Sequence, residues 1–240
     1  MNVDFSIIIP AYEESSKIRK DIILADNFIS ANNLSGEIIV VDDGSKDDTS
    51  KTALDLKVNL KNDLTVLRNE INLGKGGAVR AGILCSKGKI VMYQDAGATI
   101  PMDNALIGLK MLRNNICDIA IGSRKLPGSI IQKEHEFDRA IISKVFRSSM
   151  RFLYKQLRPF TDTQCGFKIY NGDIARELFT TMAINGFMFE IEILLRTLKK
   201  KYRVAEFPVV WKCDRDSRIG LLKSPWRVLL DTVKIKKIGL

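Results

Sequence analysis

EIIVVDDGSKDDTS, from Glu37 to Ser50, holds a strand, a polar turn and the start of a helix. Glu37–Val41 is short, apolar and β-branched, which marks a buried strand. It stops at Asp42-Asp43-Gly44-Ser45, residues that favour a turn, and helical spacing resumes over Thr49–Leu56. The same order recurs on both sides. Phe5–Pro10 (FSIIIP) reads as a first strand, followed by Pro10-Ala11-Tyr12-Glu13-Glu14 and a helix over Ser16–Asn32 capped by Ser15 or Ser16. Further strands are expected at Leu64–Arg68, Ile90–Tyr93 and Asp118–Gly122, with helices at Lys75–Cys85 and Met102–Asn115. Strands and helices alternating at this spacing predict an α/β fold with a mostly parallel sheet covered on both faces.

The second half is less regular. Glu134–Leu157 is a long amphipathic stretch, Phe167–Tyr170 a short strand, Phe189–Lys200 a helix and Arg203–Val210 another strand. A basic amphipathic helix over Trp226–Ile238 closes the chain. No repeat or low-complexity linker divides the 240 residues, so a single domain is expected, with a nucleotide-binding half over about 1–122 and an acceptor-side half over about 123–240.

Of the formal charge of +10, +9 falls between Arg196 and Leu240, where 13 Lys/Arg face 4 Asp/Glu. A basic end next to apolar residues suits an anionic membrane surface or a phosphorylated substrate. It does not suit nucleic acid, because the basic region lacks interleaved aromatics and the acidic sheet edge would repel a phosphate backbone. The four cysteines show no C-x-x-C spacing, which argues against a metal framework or disulfides. No leader is visible at Met1 and no apolar run reaches the ~18–20 residues of a membrane span. The expected location is cytoplasmic, peripheral at the cytoplasmic face of a membrane, and a homo-oligomer is compatible with the sequence.

Polar residues collect where each strand ends. After the third strand comes Asn72-Leu73-Gly74-Lys75-Gly76-Gly77, after the fourth Gln94-Asp95-Ala96-Gly97, and after the fifth Gly122-Ser123-Arg124. In parallel sheets ligands bind outside these carboxyl ends. One such loop is ordinary turn chemistry, but five on one sheet edge point to a ligand. The residue types suit a nucleotide: carboxylates for base and ribose, Tyr12 for a flat ring, glycines for close approach and Lys75 for phosphate charge. Neither a P-loop nor a dinucleotide fingerprint is present.

PAYEE, VDDGSKDDT, NLGKGGAVRAG, the QDAG turn and GSR together resemble the family 2 glycosyltransferases, which have the GT-A fold. DTQCGFK (Asp162–Lys168) and FMFEIEILLR (Phe187–Arg196) are similar to the dolichyl-phosphate glucosyltransferase and polyprenyl-phosphate sugar synthase branch. The resemblance implies an inverting transferase that moves a sugar, first of all glucose from UDP-glucose, onto a polyprenyl or dolichyl phosphate. Two alternatives are a glycan or other hydroxyl acceptor and a nucleotide-sugar-binding protein without catalysis.

By the resemblance, Pro10, Tyr12, Glu14, Lys75 and Asp95 contact the nucleotide, and Asp42 or Asp43 reads the base. Asp95 matches the first carboxylate of the family's D-x-D element, which binds Mg²⁺ or Mn²⁺, but the second position is Gly97. The metal is therefore expected to be weakly held, on Asp95, water and the diphosphate. Arg215 and Arg218 lie in a segment that resembles the family's closing loop over the diphosphate. Arg124, Arg139 and Ser143 match an arrangement that holds the acceptor phosphate, and Arg139 and Ser143 share a helix face at i, i+4. Asp162 and Glu190 are the candidate general bases if the acceptor is a hydroxyl; otherwise Asp162 positions a basic residue or the donor sugar. Gln164 and Lys168 are candidate contacts to sugar or phosphate.

Overall fold

The computed structural model describes residues 3–133, 137–212 and 225–240. Strands β1 (Phe5–Ala11), β2 (Gly36–Asp42) and β3 (Asp63–Arg68) pair in parallel, and β4 (Ile90–Gln94) pairs in parallel with the other side of β1. Further along the chain come β5 (Ile119–Ser123), the short β6 (Ile130–Lys133), β7 (Phe167–Asn171), β8 (Val204–Pro208) and β9 (Val210–Lys212). The main sheet runs β3-β2-β1-β4-β7-β5-β8, while β6 and β9 make a separate two-stranded sheet. The mostly parallel, helix-covered sheet expected from the sequence is the one observed.

Alternation along the strands sorts the core into two layers. Phe5, Ile7, Ile9, Ile38 and Val40 face one side, under α1 (Ile18–Ala31), α2 (Thr49–Leu54) and α4 (Ala105–Arg113). Ile8, Ile39, Val41 and Tyr93 face the other, under α3 (Lys75–Cys85), α6 (Gly172–Thr180) and α7 (Phe189–Lys199). Both faces being covered is why the strands read as continuous apolar runs. The remaining helices are α5 (Phe137–Leu153) and α8 (Pro225–Lys237).

Three expectations change. The first helix starts at Ile18, and neither serine caps it. The backbone before it is held by the loop after β2 instead: Glu13 N–H donates to Ser45 Oγ at 2.8 Å, Glu14 N–H to Thr49 Oγ1 at 2.9 Å and Ser15 N–H to Asp47 Oδ2 at 3.2 Å. Second, the strand expected over Arg203–Val210 ends at Pro208, a residue without a ladder donor, and the chain continues as β9 in the small sheet. Third, α6 was not anticipated; Asn171 caps it by accepting from the N–H groups of Asp173 and Ile174.

The departure that matters for function is β7, which lies antiparallel between β4 and β5. An antiparallel strand begins where its parallel neighbours end. Phe167 pairs with Gln94, so the segment just before β7, Asp162–Gly166, is delivered to the carboxyl edge of β4. The chain order also reverses between β1 and β4, where open α/β sheets open a crevice.

Candidate functional site

The loops after β1, β2 and β3 are fastened to one another by carboxylates. Asp42 is fully buried; its Oδ1 accepts the Ser45 N–H at 2.8 Å and its Oδ2 accepts the Ser50 hydroxyl. Asp43 accepts from Asn69 Nδ2 at 2.7 Å, from Leu73 N–H at 3.0 Å and from Gly74 N–H at 2.7 Å. Both candidates for base reading thus also build the rim, Asp43 by tying its loop to the glycine loop. Pro10 is buried at the end of β1, and Tyr12 and Glu14 are half-buried in the loop that follows.

The glycines of that loop have an internal reason. Gly74 has φ +99°, a region L side chains rarely adopt. A Cβ on Gly76 would come within 2.7 Å of Phe189 Cβ and 2.9 Å of the Asn185 carbonyl oxygen. They let the start of α3 press against the turn before α7, which places Lys75 at the first position of α3.

Lys75 joins a buried charged cluster. Its Nζ lies 2.8 Å from Asp95 Oδ1 and 3.0 Å from Oδ2, with the hydrogen bond directed at Oδ2. It also lies 3.4 Å from Glu190 Oε1. That oxygen accepts the Tyr93 hydroxyl at 2.7 Å and sits 3.0 Å from Lys168 Nζ. Lys168 Nζ further donates to Tyr93 Oη, to the Thr163 carbonyl at 3.2 Å and to the Cys165 carbonyl at 2.9 Å. Burial alone would push the Lys75 ammonium down, but Asp95 and Glu190 outweigh it and hold it above the ordinary lysine range. Burial would likewise raise the Glu190 carboxyl, yet Lys168 and Lys75 keep it below its ordinary value.

Arg124 and Asp162 form a two-point pair. Arg124 Nε lies 2.7 Å from Asp162 Oδ2 and its Nη2 2.9 Å from Oδ1, with a further bond from Nη2 to the Gln164 carbonyl at 3.1 Å. The guanidinium sits 5.6 Å from the centre of the Trp211 ring. Glu206 on β8 fixes the loop, accepting from the N–H groups of Thr161 and Asp162 at 2.9 Å. Burial pushes the Asp162 carboxyl up, but the Arg124 charge and hydrogen bonds overcome this and bring its pKa to about 2. The Asp95 N–H donates to the Gly166 carbonyl at 2.9 Å, closing this loop onto β4.

The fold therefore brings Asp95, Lys75, Arg124, Asp162, Gln164 and Lys168 to one edge. One of them is placed differently from expectation. Lys168 is 2% exposed with its ammonium engaged inside, so it stands behind the site rather than at a substrate. Gln164 contributes its carbonyl to Arg124, while its buried Nε2 has no partner among the described residues. Arg139 and Ser143 both lie on α5, where Ser143 is exposed. Arg215 and Arg218 lie outside the described residues. Sequence reading missed Tyr93, Glu206 and Trp211 as supports, and it treated Glu190 only as a base. Their partners are far away in the chain, and no local pattern marks them.

A divalent cation would need several oxygen ligands. The described residues offer no group of three His, Cys, Asp or Glu side chains that could hold one. Asp95 is already paired with an ammonium, and Gly97 has φ +97° with its N–H donated to Asp21 Oδ2 at 2.8 Å. Among the described residues the donor set does not fit a resident metal.

Residues 6–179 match the family model described as Glycosyl transferase family 2. The chain is 33% identical to a dolichyl-phosphate beta-glucosyltransferase of Dictyostelium discoideum, over 98% of this chain and 74% of that protein. It is 31% identical to the human protein of the same name, over 86% of this chain and 66% of that one. Among solved structures it resembles glucosyl-3-phosphoglycerate synthase from Mycobacterium tuberculosis in complex with Mn²⁺, UDP and phosphoglyceric acid, with a TM-score of 0.70 and 19% identity over 99% of this chain and 79% of that chain. With a family model covering most of its length, a relative one-third identical over nearly all of this chain, and carboxylates gathered at the carboxyl edge of its sheet, this chain belongs to glycosyl transferase family 2 and is a glycosyltransferase.

Proposed function

We propose that the enzyme moves glucose from UDP-glucose to a polyprenyl or dolichyl phosphate in a single displacement that inverts the anomeric carbon. An acceptor phosphate oxygen forms the new bond to that carbon as its bond to the diphosphate breaks, and UDP leaves. The names of its relatives support the substrates. The observation that carries the choice of acceptor is the state of the two candidate bases. A hydroxyl acceptor has to lose a proton to a base. Asp162 is locked to Arg124 with a pKa of about 2, and Glu190 is enclosed by Lys75, Lys168 and Tyr93. Neither suits proton abstraction, whereas a phosphate acceptor is already ionised and needs only orientation.

In this reading the Asp42–Asp43 loop, Pro10, Tyr12 and Glu14 receive the nucleoside, and Asp95 and Lys75 meet the ribose and diphosphate, with Arg215 and Arg218 closing over it. Arg124, Arg139 and Ser143 hold the acceptor phosphate, and Asp162 aligns Arg124. Gln164 faces the sugar. A Mg²⁺ or Mn²⁺ ion arriving with the diphosphate would have Asp95 as its protein ligand and would supply positive charge to the leaving group. The basic end of the chain places the enzyme at an anionic membrane face.

The test is transfer of labelled glucose from UDP-glucose in the presence of dolichyl phosphate, of an oligosaccharide, or of neither. Label should enter the organic phase only with the lipid phosphate, and Asp95→Ala should lower that rate by about 10²-fold or more with the fold retained. Transfer to the oligosaccharide alone would favour a hydroxyl acceptor. UDP binding with no transfer to any acceptor would favour a nucleotide-sugar-binding protein.

A further inference from the structure

We propose that the Lys75 ammonium is the resident cation of the donor site, occupying Asp95 in the donor-free enzyme and excluding a divalent ion until a diphosphate arrives. The donor reading above is needed only for the last clause.

Three observations carry the inference. Lys75 Nζ lies within 3.0 Å of both Asp95 carboxylate oxygens, so a metal ion taking Asp95 would have to share the carboxylate with the ammonium or displace it. Position 97 cannot compensate, because it is glycine at φ +97° and its N–H is held by Asp21. The local charge is also balanced: Asp95 and Glu190 bring two formal negative charges, Lys75 and Lys168 two positive ones. A bare divalent ion would add +2 beside two ammonium groups in a partly buried site, where like charges repel more strongly than in bulk water. A nucleoside diphosphate brings negative charge of its own and removes that penalty.

The geometry allows Lys75 to change partners without moving its backbone. Gly74 N–H is held by Asp43 and Gly77 N–H by the Asn185 carbonyl at 3.1 Å, so the first turn of α3 is pinned on both sides of Lys75. Its side chain runs past the rings of Tyr93 and Phe189, with Nζ 5.9 Å from each ring centre, and 17% of it is exposed. Rotation about its own torsions would carry the ammonium from Asp95 to an incoming phosphate, and Asp95 would then be free to take a metal ion. The order of binding follows: diphosphate before metal, or both together, but not metal first.

The experiment is a Mn²⁺ titration of the full chain, followed by the spin-resonance signal of free Mn²⁺ and by calorimetry. Without nucleotide, the wild type should show no binding up to about 1 mM Mn²⁺. Lys75→Met and Lys75→Gln should bind Mn²⁺ at least about tenfold more tightly than that limit, Lys75→Arg should not, and adding Asp95→Asn to Lys75→Met should abolish the gain. Binding of Mn²⁺ to the nucleotide-free wild type as tight as to Lys75→Met would overturn the proposal, as would a folded Lys75→Met or Lys75→Gln that gains nothing. If neither neutral variant folds, submillimolar Mn²⁺ binding by the wild type alone overturns it, and its absence together with Mn²⁺ uptake on adding UDP supports it. UDP binding is measured separately in the absence of metal. A chain that ignores UDP defeats the donor reading, while the nucleotide-free titrations still judge the exclusion of metal by Lys75.

Discussion

Asp21 shows how a single residue can serve the site at a cost in stability. It is 2% exposed on α1, its Oδ2 holds the Gly97 N–H, and its buried Oδ1 has no hydrogen-bond partner among the described residues. Burial raises its pKa from 3.8 to about 6, partly offset by the Gly97 N–H, with Glu14 pushing it further up and Lys20 pulling it down. A raised folded-state value means that this group favours folding below about 3.8 and that the contribution is lost as pH rises through about 6. The difference corresponds to roughly 3 kcal/mol at neutral pH. Asp21→Asn keeps an acceptor for Gly97 and removes the charge. Its melting temperature should exceed that of the wild type by several degrees at pH 8 and by much less at pH 4, read by calorimetry across that range. An identical pH profile for the two proteins would exclude Asp21 as the titrating group. At Gly97 itself, restoring a carboxylate meets φ +97°, a strain of order 1–3 kcal/mol, so the residue that the family's element would want is one the backbone here opposes.

Elements decide which residues meet. β7 runs against its neighbours, and only for that reason does Asp162–Gly166 lie beside Asp95. The glycine loop and the first turn of α7 meet because Gly76 has no side chain to separate α3 from Phe189. α5 carries the acceptor reading: Arg139 and Ser143 are one turn apart on it. Arg139→Ala should raise the KM for polyprenyl phosphate by about tenfold or more, the scale of one lost charge-assisted contact, and leave the KM for the nucleotide sugar nearly unchanged. Steady-state kinetics with each substrate varied in turn would reveal this. Equal losses for both substrates would remove α5 from the acceptor site.

At the scale of the whole molecule, the proposed lipid acceptor calls for a surface that can meet a membrane. Among the described residues no helix is long and apolar enough to cross a membrane. The sequence groups Trp226, Val228, Leu229, Leu230, Val233 and Ile235 as one apolar set, but the structure divides them. Val228 and Ile235 pack against the core, and the Thr232 carbonyl accepts the Tyr154 hydroxyl at 3.3 Å. Trp226, Leu229, Leu230 and Val233 stay exposed, with Trp226 at 73%, and so do Lys234, Lys236 and Lys237. Val145 and Phe152 on α5 are exposed as well. Basic and apolar side chains together suit reversible binding to anionic lipid, at about 1 kcal/mol per basic residue near the surface before screening. The protein should co-sediment with vesicles containing phosphatidylserine, less so as salt rises, and far less with Lys234, Lys236 and Lys237 changed to Glu. Indifference to these vesicles at low salt would leave α8 a packing element only.

The first five strands and the helices between them were legible because both sheet faces are covered. Each strand is then a β-branched run, ended by a polar turn whose composition marks the ligand edge. Asp95, Lys75 and the Asp42–Asp43 pair were legible for the same reason, as polar residues at strand ends. The sequence could not show that Lys75 pairs with Asp95, that Glu190 faces two lysines, or that Arg124 is locked to Asp162. Those pairs join residues 20 to 115 positions apart. Charge pairing at that separation depends on which strand lies beside which, and an antiparallel strand inserted between β4 and β5 leaves no periodic trace in the chain. Local propensity writes the elements, whereas the electrostatics of a buried site exist only once distant elements have excluded water between them.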